Sequence, residues 1–83
     1  MHTVELLPSA ARELATLDPT TRRRLARRID RLADDPRAEA TKLRGADDTW
    51  RARVGDYRVL YQVHDDRLLI LVVRIGHRRD VYR

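Results

Sequence analysis

Arg51 and Arg53 stand two residues apart in an alternating run, and Arg58 follows them across the dipeptide Gly55-Asp56. Side chains two apart on a strand share a face, and a two-residue turn at Gly55-Asp56 sets Val54 opposite Tyr57 and Arg53 opposite Arg58. The same register places Ala52 opposite Val59, Arg51 opposite Leu60 and Trp50 opposite Tyr61. Trp50, Ala52, Val54, Tyr57, Val59, Tyr61 and Val63 then share one face that can accept a layer of helices, while Arg51, Arg53 and Arg58 fall together on the other. Like charges directly opposite destabilise a sheet, so this placement asks for an anion. A second two-residue turn at Asp65-Asp66 sets Tyr57 opposite Arg74, which returns the tail after Gly76 to the same end of the sheet. His77, Arg78 and Tyr82 can therefore join the arginines, giving four guanidiniums, an imidazole and a phenol with no carboxylate that the pattern forces among them. A guanidinium matches a phosphate bidentately, and His77, with an unperturbed pKa of ~6.5, can donate and accept a proton near neutrality. The plainer reading is an exposed sheet face satisfied by water and by Asp56 or Asp80.

The elements that must position these groups are read from apolar spacing. Residues 2–7 are close to alternation and stop at Pro8, which predicts a short first strand. Ser9 is placed to cap a first helix over residues 9–17, with Ala10, Leu14 and Leu17 at helical spacing. Asp18-Pro19 starts a second and longer helix, whose stripe of Leu25, Ile29 and Leu32 runs until Pro36 stops it. Residues 37–41 read as a polar connector. From Trp50 the texture changes to strands, with turns at residues 55–56 and 65–66 and a last apolar strand over residues 67–75 that Gly76 breaks. The expected fold is α+β: one domain over residues 1–83, with an N-terminal strand, a helical hairpin and a three-stranded antiparallel meander.

Composition narrows the function classes. The 83-residue chain carries 18 basic and 13 acidic side chains, a formal charge of +5 that favours nucleic acid, an anionic membrane or an acidic partner. Six arginines lie within residues 21–31; a solvated helix face explains them, and they can still steer RNA electrostatically. Cysteine is absent, which removes disulfides, thiolate nucleophiles and Cys-ligated metals and fits a reducing cytoplasm. The longest apolar run, residues 68–73, is far short of the ~20 residues that span a bilayer, so neither membrane nor secretion is expected. Asp47-Asp48 and Asp65-Asp66 read as solvated turn residues, not as the clustered carboxylates of a metal-dependent nuclease. No metal or other cofactor is expected.

The strings "KLRG", "WRARVGDYRVLYQV" and "RIGHRRDVYR", in that order and separated by an apolar strand, resemble the RelE/ParE superfamily of type II toxin–antitoxin toxins, on its RelE side. The resemblance spans nearly the whole chain. It implies a sheet packed under a helical hairpin, a cognate antitoxin protein as partner, a toxin–antitoxin hetero-oligomer that binds operator DNA through the antitoxin, and cleavage of mRNA in the ribosomal A site. Carried over position by position, it implies Arg51 and Arg53 as a basic pair before the hairpin turn, Arg58 after it, and Arg78 and Tyr82 in the tail. The pair is often lysine in RelE-type toxins, and a guanidinium, which holds its proton above pH ~12, is the poorer proton donor.

RNA carries its own nucleophile, so an enzyme that aligns the 2′-OH with the adjacent phosphate and stabilises the added charge needs no metal. Tyr82 can stack on a base or orient the 2′-OH. Two other functions fit the same resemblance: a ParE-like inhibitor of DNA gyrase without nuclease chemistry, and a degenerate toxin that survives only as an antitoxin-bound corepressor.

Overall fold

Pro8 ends the first strand and opens the first helix, because its ring fixes φ near the helical value and the amide hydrogen it lacks has no partner in a first turn. The computed structural model describes residues 1–45 and 48–77. In it β1 covers Thr3–Leu6 and α1 covers Pro8–Ala15. Ser9, expected as the cap, lies inside the helix; the cap position is Leu7, which makes no side-chain bond. The second start follows expectation. The Asp18 carboxylate accepts the Thr21 amide at 3.1 Å, and α2 runs over Pro19–Leu32. It stops short of Pro36, and the chain turns through residues 33–39.

Five strands form one mixed sheet, ordered β1-β5-β4-β3-β2. The added member, β2 (Ala40–Lys42), pairs antiparallel with β3 (Thr49–Val54) where a connector had been expected. The β3–β4 hairpin, with β4 over Tyr57–His64, has the expected register throughout: Val54 opposite Tyr57, Arg53 opposite Arg58, Ala52 opposite Val59, Arg51 opposite Leu60 and Trp50 opposite Tyr61. Gly55 sits at φ +59°, the left-handed region a tight hairpin asks of its first turn residue.

The next connection departs from expectation. Residues 65–66 do not make a two-residue turn; Asp65–Arg67 form a short 3-10 helix that ends on Leu68 at φ 51°, and β5 covers Leu69–His77. His64 therefore faces Leu69. A register shift between Leu60 and Tyr61 follows, because Leu60 faces Arg74 while Tyr61 faces Val72. Val73 is the extra residue of a bulge, and it returns Ile75 to the same side as Val72; both are fully buried. The combined shift sets Tyr57 opposite His77, not Arg74, and keeps Gly76 within the strand. At the other edge β1 runs parallel to β5 but pairs only as far as Val72. Beyond it the Glu13 side chain of α1 accepts the Ile75 amide at 3.1 Å and lies 3.6 Å from Arg74 Nε.

The core lies between the sheet and the two helices. Leu25, Ile29 and Leu32 of α2 and Ala10 of α1 meet Ala52, Val59, Tyr61, Val63, Ile70, Val72 and Ile75. Trp50, Val54 and Tyr57 pack against the same cluster, so the expected helix-covered face is the observed one. Tyr61 is completely buried and its hydroxyl donates to the Pro36 carbonyl at 2.6 Å, which ties the turn after α2 to the sheet. Arg37 clamps the same region. Its guanidinium pairs with Asp48 and, at 2.8 Å, with Asp65, and it stacks over Trp50 at 5.7 Å. Asp48 and Asp65 thus join connectors, where solvated turn residues had been expected.

Candidate active site

Alternation along β3 and β4 sends Ala52, Val59 and Tyr61 into the core, and so sends Arg51, Arg53 and Arg58 to the face the helices leave open. Arg53 is exposed; Arg51 and Arg58 are half-buried. Arg53 and Arg58 are direct cross-strand partners, and on its other side Arg58 faces Gly76, which puts no side chain beside it. Three guanidiniums gathered at the turn end of one hairpin make a surface that attracts and orients anions. The expected trio is therefore brought together.

His77 is not brought to that face. As the direct partner of Tyr57 it shares the helix side of the sheet. The two rings meet edge to face, 5.8 Å apart with an interplanar angle of 81°. Both line a cavity of about 660 Å³ whose opposite wall is α1, through Ser9, Arg12, Glu13 and Thr16. The thickness of the sheet separates the imidazole from the arginines. The alternation that places the arginines correctly misplaces His77, because the bulge at Val73 lies between them. Arg78 and Tyr82 lie outside the described residues.

Electrostatics at the opposite end of the hairpin are structural. The Trp50 indole N–H, and then Arg37, hold the Asp48 carboxyl below the usual carboxylate range. Arg37 and then His2, whose Nε2 lies 3.0 Å from Asp65, do the same for Asp65. Among the described residues no group of three or more His, Cys, Asp or Glu is placed to hold a metal ion.

One set of residues escaped the sequence reading. Arg24, Arg27, Arg28 and Arg31 of α2 line a cleft of about 380 Å³ together with Arg53 and Gly55 of the hairpin. Their spacing of three, one and three puts them on a single helix stripe, a signal that the high density of arginine on α2 hid.

Comparison with known proteins adds the context the geometry lacks. A family profile described as "ParE toxin of type II toxin-antitoxin system, parDE" matches residues 4–82. The mRNA interferase toxin RelE of Escherichia coli strain K12 is 34% identical over 71 residues, which cover 83% of this chain and 75% of the relative. The crystal structure of isolated E. coli RelE toxin superposes with a TM-score of 0.85 at 30% identity, covering 99% of this chain and 92% of that one. The toxin in the intact E. coli RelBE toxin–antitoxin complex superposes with a TM-score of 0.84 at 29% identity, covering 93% and 96%.

Proposed function

This chain belongs to the RelE/ParE superfamily of type II toxin–antitoxin toxins, on its RelE side, and from that membership we propose that it is a ribosome-dependent endoribonuclease cleaving mRNA in the A site without a metal. The observation that carries the reading is the meeting of Arg51, Arg53 and Arg58 on one open sheet face, at the positions the resemblance marks as functional. The relative from E. coli is named an mRNA interferase. In the reaction the 2′-oxygen forms a bond to the adjacent phosphorus as the bond to the 5′-oxygen breaks. The 2′ proton leaves to a base and the 5′-oxygen takes one up, giving a 2′,3′-cyclic phosphate and a 5′-hydroxyl. Charge grows on the non-bridging oxygens as this occurs, and preorganised guanidiniums stabilise it without reorganising.

Arg51, Arg53 and Arg58 take the clamping role; the resemblance adds Arg78 and Tyr82, which lie outside the described residues. Tyr82 or solvent moves the proton. His77, on the far side of the sheet, positions the end of β5 through its contact with Tyr57. The proposed partner is a cognate antitoxin, as the toxin–antitoxin complex of the structural relative suggests; the joint complex binds operator DNA through the antitoxin. The setting is the cytoplasm, and no described helix is long and apolar enough to cross a membrane.

Induced expression followed by mapping of mRNA 5′ ends, with a DNA gyrase supercoiling assay on the purified toxin, tests this reading against the ParE alternative. In-frame cuts within codons, with supercoiling unaffected, are expected. Inhibited supercoiling with intact mRNA would reverse the order, and growth unaffected by expression would point to the degenerate toxin.

A further inference from the structure

Arg28 is buried to 8% exposure in the middle of α2. One terminal nitrogen, Nη2, donates to the Ala38 carbonyl at 2.6 Å, while the other, Nη1, is buried and, among the described residues, without a hydrogen-bond partner. Among the described residues it has no ion pair. Buried charges are normally paired and buried donors normally satisfied, so this group has an unmet demand for an acceptor. Its neighbours in the cleft add to that demand. Arg24 leans over the hairpin turn, where a Cβ built on Gly55 would lie 3.8 Å from both its terminal nitrogens. Among the described residues Glu39 is the only carboxylate lining the cleft, and it sits 3.6 Å from Arg31 with both side chains largely exposed.

We propose that the cleft between α2 and the end of β3 is a phosphate-binding site that holds a backbone phosphate of single-stranded RNA. The proposal rests on the reading of the Arg51–Arg53–Arg58 face as the RNA-cleaving face. Arg53 belongs to both surfaces, so a strand whose scissile phosphate lies on the open face continues over the free edge of β3 into the cleft. That continuity selects a polymer with regularly spaced diester charges over an acidic peptide. β2 leaves the edge open, because it pairs no further along β3 than Ala52.

The test is fluorescence anisotropy of the free toxin with a labelled single-stranded 2′-O-methyl oligoribonucleotide, which lacks the nucleophile and cannot be cut, measured over a range of salt. Wild type should bind, with affinity falling as salt rises. Arg24→Gln and Arg31→Gln, both at exposed positions, should each weaken binding several-fold and make the slope of log affinity against log salt shallower by about 0.7 for each phosphate that is no longer neutralised. Glu39→Gln should tighten binding. Arg67→Gln, in the turn at the opposite end of β4, should leave the slope unchanged. Arg28→Met is read beside its melting curve, and the exposed variants carry the test if it unfolds. Slopes unchanged in folded Arg24→Gln and Arg31→Gln, or no wild-type binding at low salt, would overturn the proposal. So would variants that lose affinity for the antitoxin but keep it for RNA, because the cleft would then serve an acidic peptide. Missing mRNA cleavage with the cleft effects intact would reject the nuclease reading alone; intact cleavage with unchanged slopes would reject the cleft alone.

Discussion

Arg53 and Arg58 face one another directly across the β3–β4 hairpin, on the sheet face opposite the helices. Two like charges in that position oppose the hairpin they sit on, which agrees with the proposed role of Arg58 in holding an anion. Replacing Arg58 with Ala should lower cleavage by roughly 100-fold or more, the scale for losing one preorganised charge donor. The melting temperature should hold or rise slightly. A large fall in the thermal melt would show that Arg58 is a structural residue.

Charge and geometry can be separated at the basic pair. Lys at position 51 or 53 keeps a positive point charge and loses the bidentate fork. Arg51→Lys and Arg53→Lys should therefore keep much of the cleavage rate, and the two alanine variants should lose far more. Rate constants for all four decide it. Equal losses for Lys and Ala would mean that the planar fork itself is required.

The position of His77 gives a prediction about pH. An imidazole on the helix side of the sheet, against Tyr57, is out of reach of a phosphate held by the arginines. His77→Gln should leave the shape of the pH–rate profile unaltered, with any loss appearing equally at all pH values. A wild-type limb near neutrality that flattens in the variant would put His77 in proton transfer after all.

Tyr61 makes a prediction about the fold. Burial pushes its phenol up to about 12 from the usual 10, with Arg28 and Arg37 acting in the opposite direction. The unfolded chain ionises this group first, so its contribution is fully present below pH 10 and is lost as pH rises from 10 towards 12. Tyr61→Phe should remove that alkaline dependence. It should also cost about 1 kcal/mol at neutral pH, because the Pro36 carbonyl loses its donor. Denaturant titrations of both proteins at pH 8 and above would show it; identical alkaline slopes would contradict the buried phenol.

How much of this was legible depended on how local the signal was. The β3–β4 register could be read because Gly55 in a two-residue turn fixes every pair that follows. The Leu25–Ile29–Leu32 stripe and the Asp18 cap are equally local. What lay between elements was not legible. β2 has only three residues and is recruited by its neighbour, with no pattern of its own. The β4–β5 register was displaced by Leu68, which adopts a left-handed conformation that its residue type does not announce. It was displaced again at Val73, and that bulge moved His77 off the arginine face. The parallel pairing of β1 with β5 joins the two ends of the chain, beyond the reach of any local spacing. Arg28 was hidden by abundance, since nothing in a run of arginines marks the one that is buried.

Whether the arginine face cuts mRNA on the ribosome can be read by primer extension on a translating mRNA. Antitoxin-free toxin is added to ribosomes programmed with a defined message, beside Arg58→Ala and a sample of the same RNA without ribosomes. Wild type should cut within the A-site codon, Arg58→Ala should cut with an intensity lower by about 100-fold, and naked RNA should stay intact. Active, folded toxin that leaves the A-site codon intact, or an Arg58→Ala variant that cuts as well as wild type, would contradict it.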